Sequence, residues 1–258
     1  MSRKRRWVVK AGSKMVCEGG PLLIRTWMQQ VKELKEKFNI EVIWVTSGAI
    51  AWAHEKTQFK TEKKTLPQKQ ALSAIGQPLV MDQYNLALQT MGLLGAQVLL
   101  TAGDMKDSTR KKNLQNTLNQ ILKMNILPIL NENDAVATEE IQFGDNDSLA
   151  SRVAVMMKAE KLVLLTDVEG LYDRDPKTES HAELISHLPQ VTNQHLKKVM
   201  GSSKTSQGTG GMYSKLLAAR RAQESRISAH LVRGDLPKNL LQIALNQKIG
   251  TAIGGRLK

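Results

Sequence analysis

Lysines, glycines and carboxylates at the ends of short apolar runs are the residues of this chain best suited to chemistry. Val8-Val9-Lys10-Ala11-Gly12-Ser13 carries an apolar segment into a small-residue turn. Backbone amides and an ammonium group there can jointly hold phosphate. The segment does not match the G-x-x-x-x-G-K-[ST] loop, and alone it reads equally as a solvated strand end. Val45-Thr46-Ser47-Gly48-Ala49-Ile50 ends another apolar run in hydroxyls and a glycine that lets a ligand approach the backbone; the plain alternative is a tight turn. Between positions 131 and 147 lie Glu132, Asp134, Asp145 and Asp147 with Asn131, Asn133 and Asn146, after the apolar run 126–130 and before an apolar helical pattern. That placement favours a site over a solvated turn. Such a set suits a substrate ammonium, or the ordering of lysines and hydrated Mg²⁺ around phosphates.

Two further segments complete the set. Leu164-Leu165-Thr166-Asp167-Val168-Glu169-Gly170 leads a strand into a turn bearing a hydroxyl, a carboxylate and a glycine, and an ordinary connection would read the same way. Gly208-Thr209-Gly210-Gly211-Met212-Tyr213-Ser214-Lys215 is a glycine-rich turn opening a helix, with a lysine in its first turn. A lysine there opposes the helix dipole, which argues for a bound anion over a plain surface loop. Two lysines, three glycine turns and an acidic cluster are the equipment of phosphoryl transfer, which needs positive charge on the moving group and no Ser-His or Cys-His nucleophile.

The elements that must position these residues follow from periodicity. Short apolar, β-branched runs at 7–9, 41–46, 96–100, 126–130, 161–166 and 229–232 alternate with helical patterns at 22–38, 68–91, 110–124, 147–157, 194–199 and 212–224. That alternation predicts an α/β fold with a parallel sheet covered by helices, whose ligands bind beyond the carboxyl ends of the strands. Asp147 has acceptor chemistry for capping or ligating, and Ser148 could cap the helix that starts there. The polar stretch 173–190 is read as a loop with short elements, and Cys17 as a loop thiol.

Composition excludes other classes. The 258 residues are 41% hydrophobic and 24% charged, enough to bury a real core as one large or two small domains. No window approaches the ~18 apolar residues of a membrane span, and one cysteine forbids an internal disulfide, so the expectation is a cytoplasmic protein. The net charge of +13 invites a nucleic-acid or anionic-substrate reading. However, the basic residues are scattered, and three Phe, three Tyr and four Trp offer few stacking platforms. The five histidines show no metal-ligand spacing, and no direct protein ligand to a metal is expected.

Taken in order, VVKAGS, VTSGAI, NENDAVATEEI, GDND, LLTDVEGLYDRDP and GTGGMYSK resemble the amino acid kinase superfamily and, within it, the glutamate 5-kinase family, over residues 7–254. The resemblance implies a three-layer αβα sandwich with a mainly parallel sheet of about eight strands. It also implies transfer of the ATP γ-phosphate to the side-chain carboxylate of L-glutamate, with Mg²⁺ on the ATP phosphates. Carried over by position, Lys10 and Lys215 would stabilise the moving phosphoryl group, Gly12 and Gly48 would offer it backbone amides, and Asp147 would hold both lysines. Ser47, Asp134 and Asn146 would bind glutamate. Lys10, Thr166, Asp167 and the turn with Thr209, Gly210, Gly211, Met212 and Lys215 would bind ATP. A homo-oligomer, dimer or tetramer, is implied, and glutamate-5-semialdehyde dehydrogenase as a functional partner. A single kinase domain over 1–258 is expected, without the C-terminal PUA domain of many relatives. The chain departs from the family in reading Gly12-Ser13-Lys14 where members usually read GSS, and in lacking the glycine that usually follows SGAI, where it has Ala51-Trp52-Ala53-His54. Lys14 adds charge beside the phosphate turn. The alternatives are another acid kinase of this fold, or a catalytically silent, nucleic-acid-associated scaffold.

Overall fold

A computed structural model describes residues 5–57, 59, 64–137, 145–176, 178–202 and 211–255. The strands are β1 (Arg5–Ala11), β2 (Ile40–Val45), β3 (Gly95–Leu100), β4 (Leu127–Glu132), β5 (Lys161–Thr166), β6 (His187–Leu188), β7 (Ser228–Arg233) and β8 (Thr251–Ile253). They form one sheet in the order β3-β4-β2-β1-β5-β7-β8-β6, every neighbouring pair parallel except β7 and β8. The eight strands and the mainly parallel arrangement agree with the sequence reading. β6 and β8 were not expected, being too short to show a period.

Helices cover both faces. The first face carries α4 (Ala102–Lys106), α5 (Ser108–Lys123), α6 (Asn146–Met156), α7 (Asn193–Ser202) and α8 (Met212–Glu224). The other carries α1 (Ser13–Phe38), α3 (Leu66–Gln89) and α9 (Asn239–Ala244), with α2 (Ala49–Thr57) packed on α3. Alternate residues of each central strand serve opposite layers. Val8, Ile43, Leu162 and Leu164 enter one core, and Trp7, Val9, Trp44, Val163 and Leu165 the other. A sheet buried on both faces therefore reads as continuous apolar runs, the signal visible in the sequence.

α1 begins nine residues before the predicted helix. Gly19-Gly20-Pro21 reads as a break, and Gly20 does leave helical geometry (φ 56°, ψ −157°), but the chain resumes its helix at once. The early segment places Cys17 on a helix and not in a loop. Its Sγ lies 3.9 Å from the Gly48 carbonyl, and burial, with Glu55 and Glu18 nearby, pushes the thiol up to about 11.

Because β1, β2, β4, β5 and β7 run in parallel, their carboxyl ends open on one edge of the sheet. Lys10, the Thr46-Ser47 turn, Asn131, Thr166 and Gly234 all lie along that edge.

Candidate active site

Asp147 is the centre of the site. Fully buried in the first turn of α6, its carboxylate receives Lys10 from β1 at 2.6 Å on Oδ1 and Lys215 from α8 at 3.2 Å on Oδ2. Ser214 Oγ donates to the same Oδ2 at 2.9 Å. Lys10 and Lys215 are themselves only 3% and 6% exposed, so two ammonium groups share one anion out of bulk water. Burial pushes the Asp147 carboxyl up, but the charges of Lys10 and Lys215 and the bonds from Lys10 and Ser214 outweigh it and hold it below its ordinary value. Burial lowers the Lys10 ammonium despite the attraction of Asp147, and Lys215 adds like-charge repulsion. With two ammonium groups against one carboxylate, the triad carries a net positive charge.

The helix cap differs from the expected one. Neither Asp147 nor Ser148 caps α6; Asp145 does, accepting from the Ser148 amide at 2.9 Å, which frees Asp147 to point inward.

A polar network lines the β2 side. Asn146 Nδ2 lies 2.7 Å from the Thr46 carbonyl, from Ser47 Oγ and from Asn131 Oδ1. Thus Ser47 and Asn146 are in direct contact. Asp134 is on the α3 side, bonded to Ser73, and burial raises its carboxyl while that bond lowers it. Gly48 takes φ +104°, a left-handed value that disfavours other residues, at the sharp turn into α2, and a Cβ there would approach Cys17 Sγ to 3.2 Å. Gly12 has ordinary extended geometry and caps α1; a Cβ there would stand 3.5 Å from Lys10 Nζ, so the turn lies directly over that ammonium.

On the β5 side Thr166 is buried, its carbonyl accepting from the Gly234 amide, and Thr166 Oγ1 donates to Asp167 Oδ1 at 3.3 Å. Gly211 and Met212 open α8 as expected, whereas Thr209 and Gly210 lie outside the described residues. Among the described residues no three of His, Cys, Asp and Glu gather in a metal-binding group. No described helix is long and apolar enough to cross a membrane.

Three participants went unassigned in the sequence. Gln77 of α3 accepts from Asn131 Nδ2 at 2.7 Å and passes the chain to Gln97 at 3.0 Å. Tyr84 of α3 ties Trp44 and Thr46 together beneath the Ser47 turn. Ser214 adds its bond to Asp147. A signal existed only for Gln77, an amide within an apolar helix stretch; the rest depends on tertiary placement.

The sequence pattern of the amino acid kinase family matches residues 5–233. A glutamate 5-kinase of Thermoanaerobacter sp. (strain X514) is 41% identical over 95% of this chain and 67% of its own length. Another, of Clostridium acetobutylicum, is 38% identical over 97% of this chain and 95% of its own length. The chain belongs to the amino acid kinase family, among the glutamate 5-kinases. The fold agrees: the crystal structure of T. acidophilum isopentenyl phosphate kinase superposes with a TM-score of 0.64 over 96% of this chain and 99% of its own, at 17% identity.

Proposed function

We propose that this protein transfers the γ-phosphoryl group of ATP to the side-chain carboxylate of L-glutamate, opening proline biosynthesis. The observation that carries the reading is the pair of buried lysines held by Asp147 at the carboxyl edge of the sheet. In the reaction a glutamate oxygen forms a bond to the γ-phosphorus while the bond to the β,γ-bridging oxygen breaks. ADP leaves with that electron pair, and γ-glutamyl phosphate results. The acceptor is a carboxylate with an ordinary pKa near ~4.3, already ionised at neutral pH, so no general base is needed. This accounts for a site built from cations and amides, without a histidine.

Each group then has a role. Lys10 and Lys215 would meet charge developing on the equatorial phosphoryl oxygens, and the amides at Gly12 and Gly48 would add donors. Asp147 holds both ammonium groups at fixed positions before ATP arrives, so little reorganisation accompanies the transfer. Ser47 and Asn146 would fix the glutamate carboxylate, and Asp134 its ammonium group. Thr166, Asp167 and the turn at 209–215 would hold ATP. Both Asp147 oxygens are engaged by cations, so it does not serve a metal. Mg²⁺ would be carried on the ATP phosphates, where it neutralises charge.

The enzyme acts in the cytoplasm as a homo-oligomer in this reading; exposed Ile75, Leu86 and Leu94, on and just beyond α3, support association. Its acyl phosphate is labile in water and calls for a reductive consumer, the role of a glutamate-5-semialdehyde dehydrogenase. The test is hydroxamate formation from L-glutamate and Mg-ATP, with aspartate, N-acetylglutamate and UMP as control acceptors. ADP release without hydroxamate would overturn the acceptor, and no turnover with any acceptor would overturn the kinase reading.

A further inference from the structure

We propose that Lys14 is a third cationic contact for the phosphates of the bound nucleotide, parked on Asp167 until that nucleotide arrives. The inference rests on the ATP-dependent reading above and assigns a residue that it leaves without a role.

Lys14 is the second residue of α1, in a first turn that holds no acidic side chain. A cation there is opposed by the positive end of the helix, so helix stability does not explain it. Its Nζ pairs at 2.8 Å with Asp167 Oδ2, on the turn that follows β5. β1 and β5 are neighbours, with Ala11 opposite Leu165, so this pair bridges the ends of two adjacent strands at the edge where the triad sits. The Gly12 turn over Lys10 Nζ is the same turn that carries Lys14 two residues later.

Exposure separates the three lysines. Lys10 and Lys215 are buried, whereas the side chains of Lys14 and Asp167 are 56% and 38% exposed. An exposed ion pair is weakly held and is screened by salt, so it breaks at little cost. The triad offers one net positive charge against the several negative charges of a nucleotide triphosphate. While Lys14 stays on Asp167 that pair adds none. Moving the ammonium to a phosphate oxygen exchanges a weak solvated pair for a charge-assisted bond near a helix N-terminus. It also releases Asp167 Oδ2 as an acceptor for a nucleotide donor. The four-carbon stem of lysine permits this swing, whereas a serine at 14 could not reach across.

The test measures binding of adenosine, AMP, ADP and β,γ-imido-ATP by titration calorimetry with Mg²⁺ present, for the unaltered protein, Lys14→Ala and Lys14→Arg. The expected result is a loss of about tenfold for ADP and β,γ-imido-ATP in Lys14→Ala. Adenosine and AMP should change less than twofold, and Lys14→Arg should restore most of the loss. Equal losses across all four ligands would mean that Lys14 merely orients Asp167, and would overturn the proposal, as would no loss at all. Failure of the unaltered protein to bind any nucleotide would instead bring down the kinase reading, a distinct outcome. Raised salt should narrow the gap between Lys14→Ala and the unaltered protein for ADP, since the contact is electrostatic and partly exposed.

Discussion

Replacing Asp147 by Asn is the most informative single change, because the carboxylate is fully buried and both its oxygens face ammonium groups. The variant keeps size and shape but removes the carboxylate that both enclosed ammonium groups face. Removing one partner of a buried pair costs about 3–5 kcal/mol, against ~5–15 kcal/mol of total stability for a typical domain. The loss here belongs at the upper end, since one anion serves two cations. Lys10, already lowered by burial, would ease it by shedding its proton. Urea unfolding followed by fluorescence of buried Trp27 and Trp44 reads the stability. The triple variant Lys10→Met, Asp147→Leu, Lys215→Met removes charge and counter-charge together and should recover most of the stability while remaining inactive. A change under about 1 kcal/mol in Asp147→Asn, with the triple variant no more stable than the single, would refute the argument that Asp147 is what makes two buried lysines tolerable.

The other expectations are narrower. Lys215→Ala should lower kcat about 10²-fold or more with little effect on the KM for glutamate, because its contact strengthens as charge develops; steady-state kinetics check this. Asp134→Ala should chiefly raise the KM for glutamate, since it would contact a group remote from the transferred phosphate, and the reverse split would misassign both residues. His230, half-buried on β7, is lowered to about 3, by burial first and by neighbouring Lys161 and His187 second. The unfolded chain therefore takes up a proton below pH ~6.5 that the fold refuses until about 3, and stability falls as pH drops through that window by up to ~1.4 kcal/mol per unit. In His230→Leu this slope should flatten, as read from urea midpoints between pH 7 and 4.5. A Cβ on Gly76 would fall 1.8 Å from the Ala49 carbonyl, so Gly76→Ala should push α2 off α3 and lower the thermal midpoint by several degrees.

What could be read in the sequence was set by how locally each feature is specified. β1, β2 and β5 stand out because apolar side chains on both faces make unbroken runs, and α8 because its start and its period coincide with a glycine turn. α2 escaped notice: its nine residues bury only Ala49 and Ala53, and Gly76 of α3 supplies the close packing that holds it. The cap of α6, Asp145, lies two and three residues before the candidates Asp147 and Ser148, because all three residues have capping chemistry and only tertiary charge tells which turns inward. Lys10, Asp147 and Lys215 were legible as residue types at strand and helix ends. Their convergence was implied by resemblance and is seen in the geometry. The hydrogen bonds through Tyr84 and Ser214 belong to no local pattern at all.

The triad also has a bearing on biosynthesis of the chain itself. Its members come from the first strand, the middle of the chain and α8, with Asp147 and Lys215 alone 68 residues apart. β1 lies at the centre of the sheet between β2 and β5, so its second neighbour is not yet made when β1 leaves the ribosome. Such long-range closure is slow and waits on late contacts. Until α8 has emerged, Asp147 Oδ2 lacks both the lysine and the serine that this helix brings to it. Assembly of the triad therefore comes late in synthesis, with the docking of α8.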